Sequence, residues 1–167
     1  MKNFYCVGLF LAIFSLTAPW VSHAEYANPN PSDACSFMSA IGMNTRGYKN
    51  PDGIGYFCSS SYKELGTGFP LKNNIAYYAE GSDQKVTKLK LVLNVNSKQE
   101  AKQAYAELKN SAEALLKKAL NASLPQEASK AILAGSNGNW KIGNAKVSLI
   151  RADWPTGKGH EIIFIVE

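Results

Sequence analysis

The 167 residues carry 18 Lys and Arg against 13 Asp and Glu, with 46% hydrophobic and 19% charged residues. That composition belongs to a globular protein and excludes a disordered, collagen-like or coiled-coil chain. The formal charge is +5 and is unevenly spread.

Lys2 gives a positive start, and residues 4–16 are apolar except for Cys6, Gly8 and Ser15. Ser22-His23-Ala24 then sets small residues one and three places before a cleavage point. The pattern predicts a secretory signal peptide over 1–24. Pro19 interrupts the run before it reaches the roughly 20 apolar residues of a membrane span. Of the three cysteines, Cys6 leaves with the peptide, so Cys35 and Cys58 are expected to form a disulfide in an oxidising compartment. Neither Cys6 nor Cys35 sits where a lipid anchor would need it. The expectation is an exported protein, periplasmic or secreted, with no stable membrane anchor after cleavage. Asn121-Ala122-Ser123 is a formal glycosylation sequon and leaves the choice between the two compartments open.

Residues 25–32, with two prolines and two asparagines, read as a flexible lead-in to a single domain over 33–167. Ser32 is expected to cap a short helix over 33–41 that Gly42 ends. A Gly-, Asn- and Pro-rich loop over 44–55 follows, then a strand at 55–58, so the disulfide would staple the first helix to the sheet. A second loop over 66–74 precedes strands at 75–79 and 85–95, joined by Gly81-Ser82-Asp83. The later strand alternates cleanly, with Leu89, Leu91, Leu93 and Val95 on one face and Lys88, Lys90, Val92 and Asn94 on the other. Ser97-Lys98-Gln99-Glu100 matches a capping box. Beyond it Ala101, Ala104, Tyr105, Leu108, Ala112, Leu115, Leu116 and Ala119 recur at helical spacing. Pro125 opens a second helix that Gly135 ends. Strands at 140–142 and 145–152 flank Gly143-Asn144 as a hairpin, and Ile162 to Val166, apolar on both faces, belongs in the middle of the sheet. The expected fold is α+β, a largely antiparallel sheet of about six strands in β3-α-β3 order. One long amphipathic helix packs on one face, and the short N-terminal helix is tied by the disulfide.

Catalytic inventory is thin. His160 is the only histidine beyond the signal peptide, and no residues have metal-ligand spacing, so no metal or cofactor site is predicted. No Walker-type loop or Gly-x-Ser-x-Gly elbow occurs. If 154–159 is a turn, Asp153 and His160 face each other, where a carboxylate can orient an imidazole and raise its pKa. A triad would need a nucleophile such as Ser59, Ser60 or Ser61.

Residues 84–135 hold nine Lys against four Glu. Lys88 and Lys90 lie on a strand and Lys98, Lys102, Lys109 and Lys117 on the long helix, a candidate basic docking surface. Nucleic acid is not the expected partner, because the stripe lacks interleaved stacking aromatics. Tyr48, Tyr56, Phe57, Tyr62, Phe69, Tyr77 and Tyr78 crowd the first half, partly on loops, where aromatics serve recognition. The resulting candidate interaction surface is Lys98, Lys102, Lys109, Tyr48, Tyr62, Trp154 and His160. These features point away from an enzyme and towards a binding protein that acts on another protein, such as an envelope inhibitor, immunity-type or accessory factor. The alternatives are a small-ligand carrier with a pocket between the helix and the aromatic loops, and a small hydrolase using His160 and Asp153.

Overall fold

In the computed structural model of the protein, which describes residues 29–167, all strands join one seven-stranded antiparallel sheet. The signal peptide expected over 1–24, and 25–28 of the lead-in, lie outside the described residues. In chain order the elements are α1 Pro31–Ser36, β1 Tyr56–Ser59, β2 Lys63–Leu65, β3 Asn73–Gly81, β4 Val86–Val95, α2 Ala101–Leu120, α3 Gln126–Ala134, β5 Gly138–Ile142, β6 Ala145–Asp153 and β7 His160–Val166. The sheet runs β1-β3-β4-β7-β6-β5, with β2 also paired to β3. The fold is therefore the expected mixed α+β domain. The strand beyond the expected six is β2, three residues long, too short for its Lys-Glu-Leu sequence to show a period.

Period-two alternation decides which side is core. Leu89, Leu91, Leu93 and Val95 of β4 face the same side as Ile162, Phe164 and Val166 of β7, and all are fully buried. The buried stripe of α2, including Ala104, Leu108, Ala112, Leu115 and Leu116, covers that face. Each large aliphatic side chain so enclosed stabilises the fold by about 1.5–3 kcal/mol relative to exposure. Strand β7 lies between β4 and β6, and its side chains alternate between fully buried on the helix side and half-buried at Ile163 and Ile165 on the other. The opposite face of the sheet carries no helix. Ala76, Val92, Ile163 and Ile150 form a cross-strand row on it, and Ile150 is 45% exposed.

The N-terminal segment differs from expectation. The cap of α1 is Asn30, whose Oδ1 accepts from the Asp33 N–H at 3.0 Å, and Pro31 occupies the first turn. Pro suits that place because its missing N–H would have no helical partner. Pro29 is also fixed, since its carbonyl accepts from the Val86 N–H at 3.2 Å. Residues 29–32 thus belong to the folded unit. The helix is shorter than expected, and a separate 3-10 turn over Ser39–Ile41 leads to Gly42. The Cys35–Cys58 disulfide ties α1 to β1, and Tyr77 of β3 donates its hydroxyl proton to the Ala34 carbonyl at 2.8 Å.

The expected capping box does not form. Ser97 makes no side-chain cap, and Lys98–Glu100 is a 3-10 turn leading into α2. Glu100 instead turns its carboxylate outward to the 66–68 segment.

Candidate functional site

Antiparallel pairing sends the connections of the sheet to two ends. The segments before β3, after β4 and between β6 and β7 share one end, because Asn74 pairs with Asn94 and Val95 with His160. Polar contacts join them side by side. The Glu100 carboxylate accepts from the Thr67 N–H at 3.1 Å, the Thr67 hydroxyl at 2.9 Å and the Gly68 N–H at 2.9 Å. These bonds hold the Glu100 pKa below the usual carboxylate range, the Thr67 N–H contributing most. A side chain at Gly66 would overlap this carboxylate, and its φ of 74° also suits glycine. At the other end of the loop, Asn96 Nδ2 donates to the Lys72 carbonyl at 2.7 Å. Asn73 is fully buried and bonds both the N–H and the carbonyl of Ser97.

The segment between those ties is apolar and projects. Phe69 is 95% exposed and Leu71 64% exposed. Aromatic and aliphatic side chains at such exposure on a loop pinned at its base offer contact area at small ordering cost. Lys98, in the same turn as Glu100, ties the segment after β4 to the β6–β7 hairpin by donating to the Gly157 carbonyl at 2.6 Å. In the hairpin Trp154 packs over Gly159, where a Cβ would strike both the indole and the Val95 carbonyl. Lys102 and Lys158 are exposed in the two adjoining segments. One end of the molecule thus presents Phe69, Leu71 and Trp154 among lysines.

Beneath the hairpin lies His160, 2% exposed. The register does set Asp153 opposite His160, as the turn implied. The expected carboxylate–imidazole pair is nevertheless absent, because Arg151, two residues earlier on the same strand face, takes Asp153 at 2.8 Å. His160 Nε2 instead lies 2.7 Å from the Tyr105 hydroxyl, and its Nδ1 lies 3.5 Å from Arg151 Nη2. A guanidinium can only donate, so the neutral tautomer with a bare Nδ1 fits, and Nε2–H donates to Tyr105. Burial, followed by the positive charge of Arg151, lowers the His160 pKa; Asp153 opposes the shift and does not reverse it. The expected rise is thereby corrected to a fall. Ser59, Ser60 and Ser61 come no closer to a triad, since β1 and β7 are three strand spacings apart, roughly 14 Å at about 4.8 Å each. Ser60 is also engaged, accepting from the Tyr77 N–H at 3.0 Å.

The other expected surface residues are dispersed. Lys109 lies further along α2, 3.4 Å from Glu113. Lys88 and Lys90 point from the helix-free face of the sheet and are paired with Glu167 and Glu80, so strand and helix lysines do not make one stripe. Tyr48 donates to the Ser82 carbonyl at 2.8 Å and stacks on Tyr56, at the opposite end of the sheet. Tyr62 is 57% exposed beside Tyr78. Sequence reasoning counted Phe69 among the loop aromatics without singling it out. The available signal was Gly-Phe-Pro-Leu, apolar residues flanked by turn formers with no periodic partner.

Among the described residues, no group of His, Cys, Asp and Glu could hold a metal ion, and no helix is long and apolar enough to cross a membrane. A cleft of about 620 Å³ opens between α1 and the 44–48 segment, and another of about 490 Å³ opens beside β1; neither is lined by α2. Comparison of the chain with protein-family models, curated proteins and solved structures finds no match.

Proposed function

We propose that the protein is exported and works by binding another protein through the loop end of its sheet, with Phe69 as the central anchor. The observation that carries this reading is the combination of exposure and restraint at 66–72. Phe69 is almost wholly in solvent, while Glu100, Asn96 and Asn73 fix the backbone on either side. Burying an aromatic side chain of about 150–250 Å² from a preorganised loop is how a hot spot forms. Lys98, Lys102 and Lys158 around it suit a partner whose apolar pocket is rimmed by carboxylates. The mode of action fits an inhibitor, immunity-type or accessory factor. Export is supported by the apolar segment over 4–16, the small residues before Glu25 and the disulfide.

Two measurements test the reading. Intact mass of protein from the oxidising compartment should begin at Glu25 and show no alkylatable thiol; a chain retaining residues 1–24 would overturn cleavage, and absence of the protein from that compartment would overturn export. For binding, envelope extract is passed over wild-type protein and the Phe69→Ala variant, with Lys117→Ala as a surface control. Phe69→Ala should weaken the captured partner's affinity by about 30-fold or more, as loss of a hot spot of about 2 kcal/mol requires. A partner held equally by wild type and Phe69→Ala would remove the loop from the interface.

A further inference from the structure

The helix-free face of the sheet carries a second and chemically different site. Beside β1, Ile54, Tyr56, Phe57, Tyr78, Glu80 and Lys90 line an open cleft of about 490 Å³. Its walls mix polar and apolar surface in nearly equal parts, and Ile54, which contributes to the apolar part, is 76% exposed. Glu80 and Lys90 are the charged residues among those lining it, and they form an ion pair with each other. The cleft therefore holds no net formal charge. Lys90 Nζ also lies 5.4 Å from the centroid of the Tyr78 ring, which fixes that ring by a cation–π contact.

We propose that this cleft binds a neutral saccharide, one or two sugar units of a longer chain. A pyranose has a face of C–H groups that lies on an aromatic ring and an edge of hydroxyls that bonds a carboxylate, an ammonium or a phenol. The cleft offers both surfaces, the rings of Phe57 and Tyr78, which the strand register sets on one face, and the polar groups of Glu80 and Lys90 on that same face. A charged ligand would have to break the Glu80–Lys90 pair to find a counter-ion, whereas hydroxyls can bond to the pair as it stands. The Tyr78 hydroxyl remains a neutral donor and acceptor at all physiological pH. Burial first, and then its hydrogen bond with Tyr62, push its pKa up to about 12. The cleft is open to solvent, so a bound unit need not be a chain end. This site does not depend on the Phe69 loop, which belongs to the opposite end of the sheet.

The test is a titration of the isotopically labelled exported protein, followed by backbone amide shifts. The probes are N,N′,N″-triacetylchitotriose, cellotriose and maltotriose, each to about 10 mM, with a trigalacturonate and a proline-rich peptide as competitors of other chemistry. At least one neutral trisaccharide should give saturable shifts confined to residues 54–57, 78–81 and 90, with affinity on the order of 1 mM. In Tyr78→Ala that affinity should fall at least tenfold, and Phe57→Ala should repeat the loss if Tyr78→Ala folds poorly. The proposal is overturned by absence of shifts with all three neutral probes, or by shifts mapping elsewhere. Tighter binding of the trigalacturonate or the peptide in the same cleft would also overturn it.

Discussion

His160 is more informative as a buried neutral base than as a catalytic one. In the folded protein Tyr105 of α2 takes its Nε2 side, while Arg151 and Asp153 of β6 stand beyond Nδ1 and Lys98 contributes further positive charge. Protonation would turn Nδ1–H towards the Arg151 guanidinium, so the folded state binds that proton less readily than the unfolded chain, where a histidine titrates near 6.5. The stability this provides is complete above about pH 6.5 and is lost as pH falls through the lowered folded-state value. Denaturation midpoints should therefore decline between about pH 7 and about pH 5, and His160→Gln should flatten that decline, because glutamine cannot charge. A slope unchanged in His160→Gln would assign the pH dependence to other groups. Asp153 and Glu100 act in a lower range. Both are held below the usual carboxylate range, so their contributions are lost only as carboxylates protonate.

Helix α2 places three neighbouring side chains in three different environments, which makes its packing testable by one denaturation series. Leu108 is fully buried on the sheet, and Leu108→Ala should cost about 2–5 kcal/mol through lost burial and the cavity left behind. Lys109 lies on the solvent flank beside Glu113, and Lys109→Ala should change stability by no more than about 0.5 kcal/mol. Ser111 is fully buried, and its hydroxyl has no hydrogen-bond partner among the described residues. Ser111→Ala removes an unsatisfied group and improves helix propensity, so it should stabilise by about 1 kcal/mol. Equal losses at 108 and 109 would mean that the helix is rotated about its axis. The rotation itself was legible in the sequence, since the four- and three-residue spacing of Leu108, Ala112 and Leu115 marks one face. The helix start was not. Ser97 and Glu100 have capping-box spacing, and nothing local reveals that Glu100 has better partners in Thr67 and Gly68, more than thirty residues earlier. The same limit explains the Asp153–His160 reading. The turn fixed their register, but Tyr105 is distant in sequence, although Arg151 on the Asp153 strand face was a visible competitor.

Across the whole molecule, the sheet separates two jobs. At one end the disulfide and α1 close the structure, and at the other the 66–72, 96–100 and 154–159 segments form the proposed binding surface. Clean alternation in β4 and the unbroken apolar run of β7 made this sheet readable from sequence, whereas the gathering of loops at one end followed only from the strand order. The separation has a measurable consequence. The disulfide closes a span of 23 residues, and its removal in the Cys35→Ala/Cys58→Ala double variant should cost about 3 kcal/mol by freeing the unfolded chain. That loss falls on the segment from α1 to β1, which is tied to the sheet by Tyr77 and the β1–β3 pairing rather than through the loop end. Binding through Phe69 should then survive in the fraction that remains folded. The affinity should match wild type at 25 °C while the denaturation midpoint drops. A double variant that keeps its midpoint but loses the partner would place the interface at the disulfide end, and the division of labour between the two ends would fail.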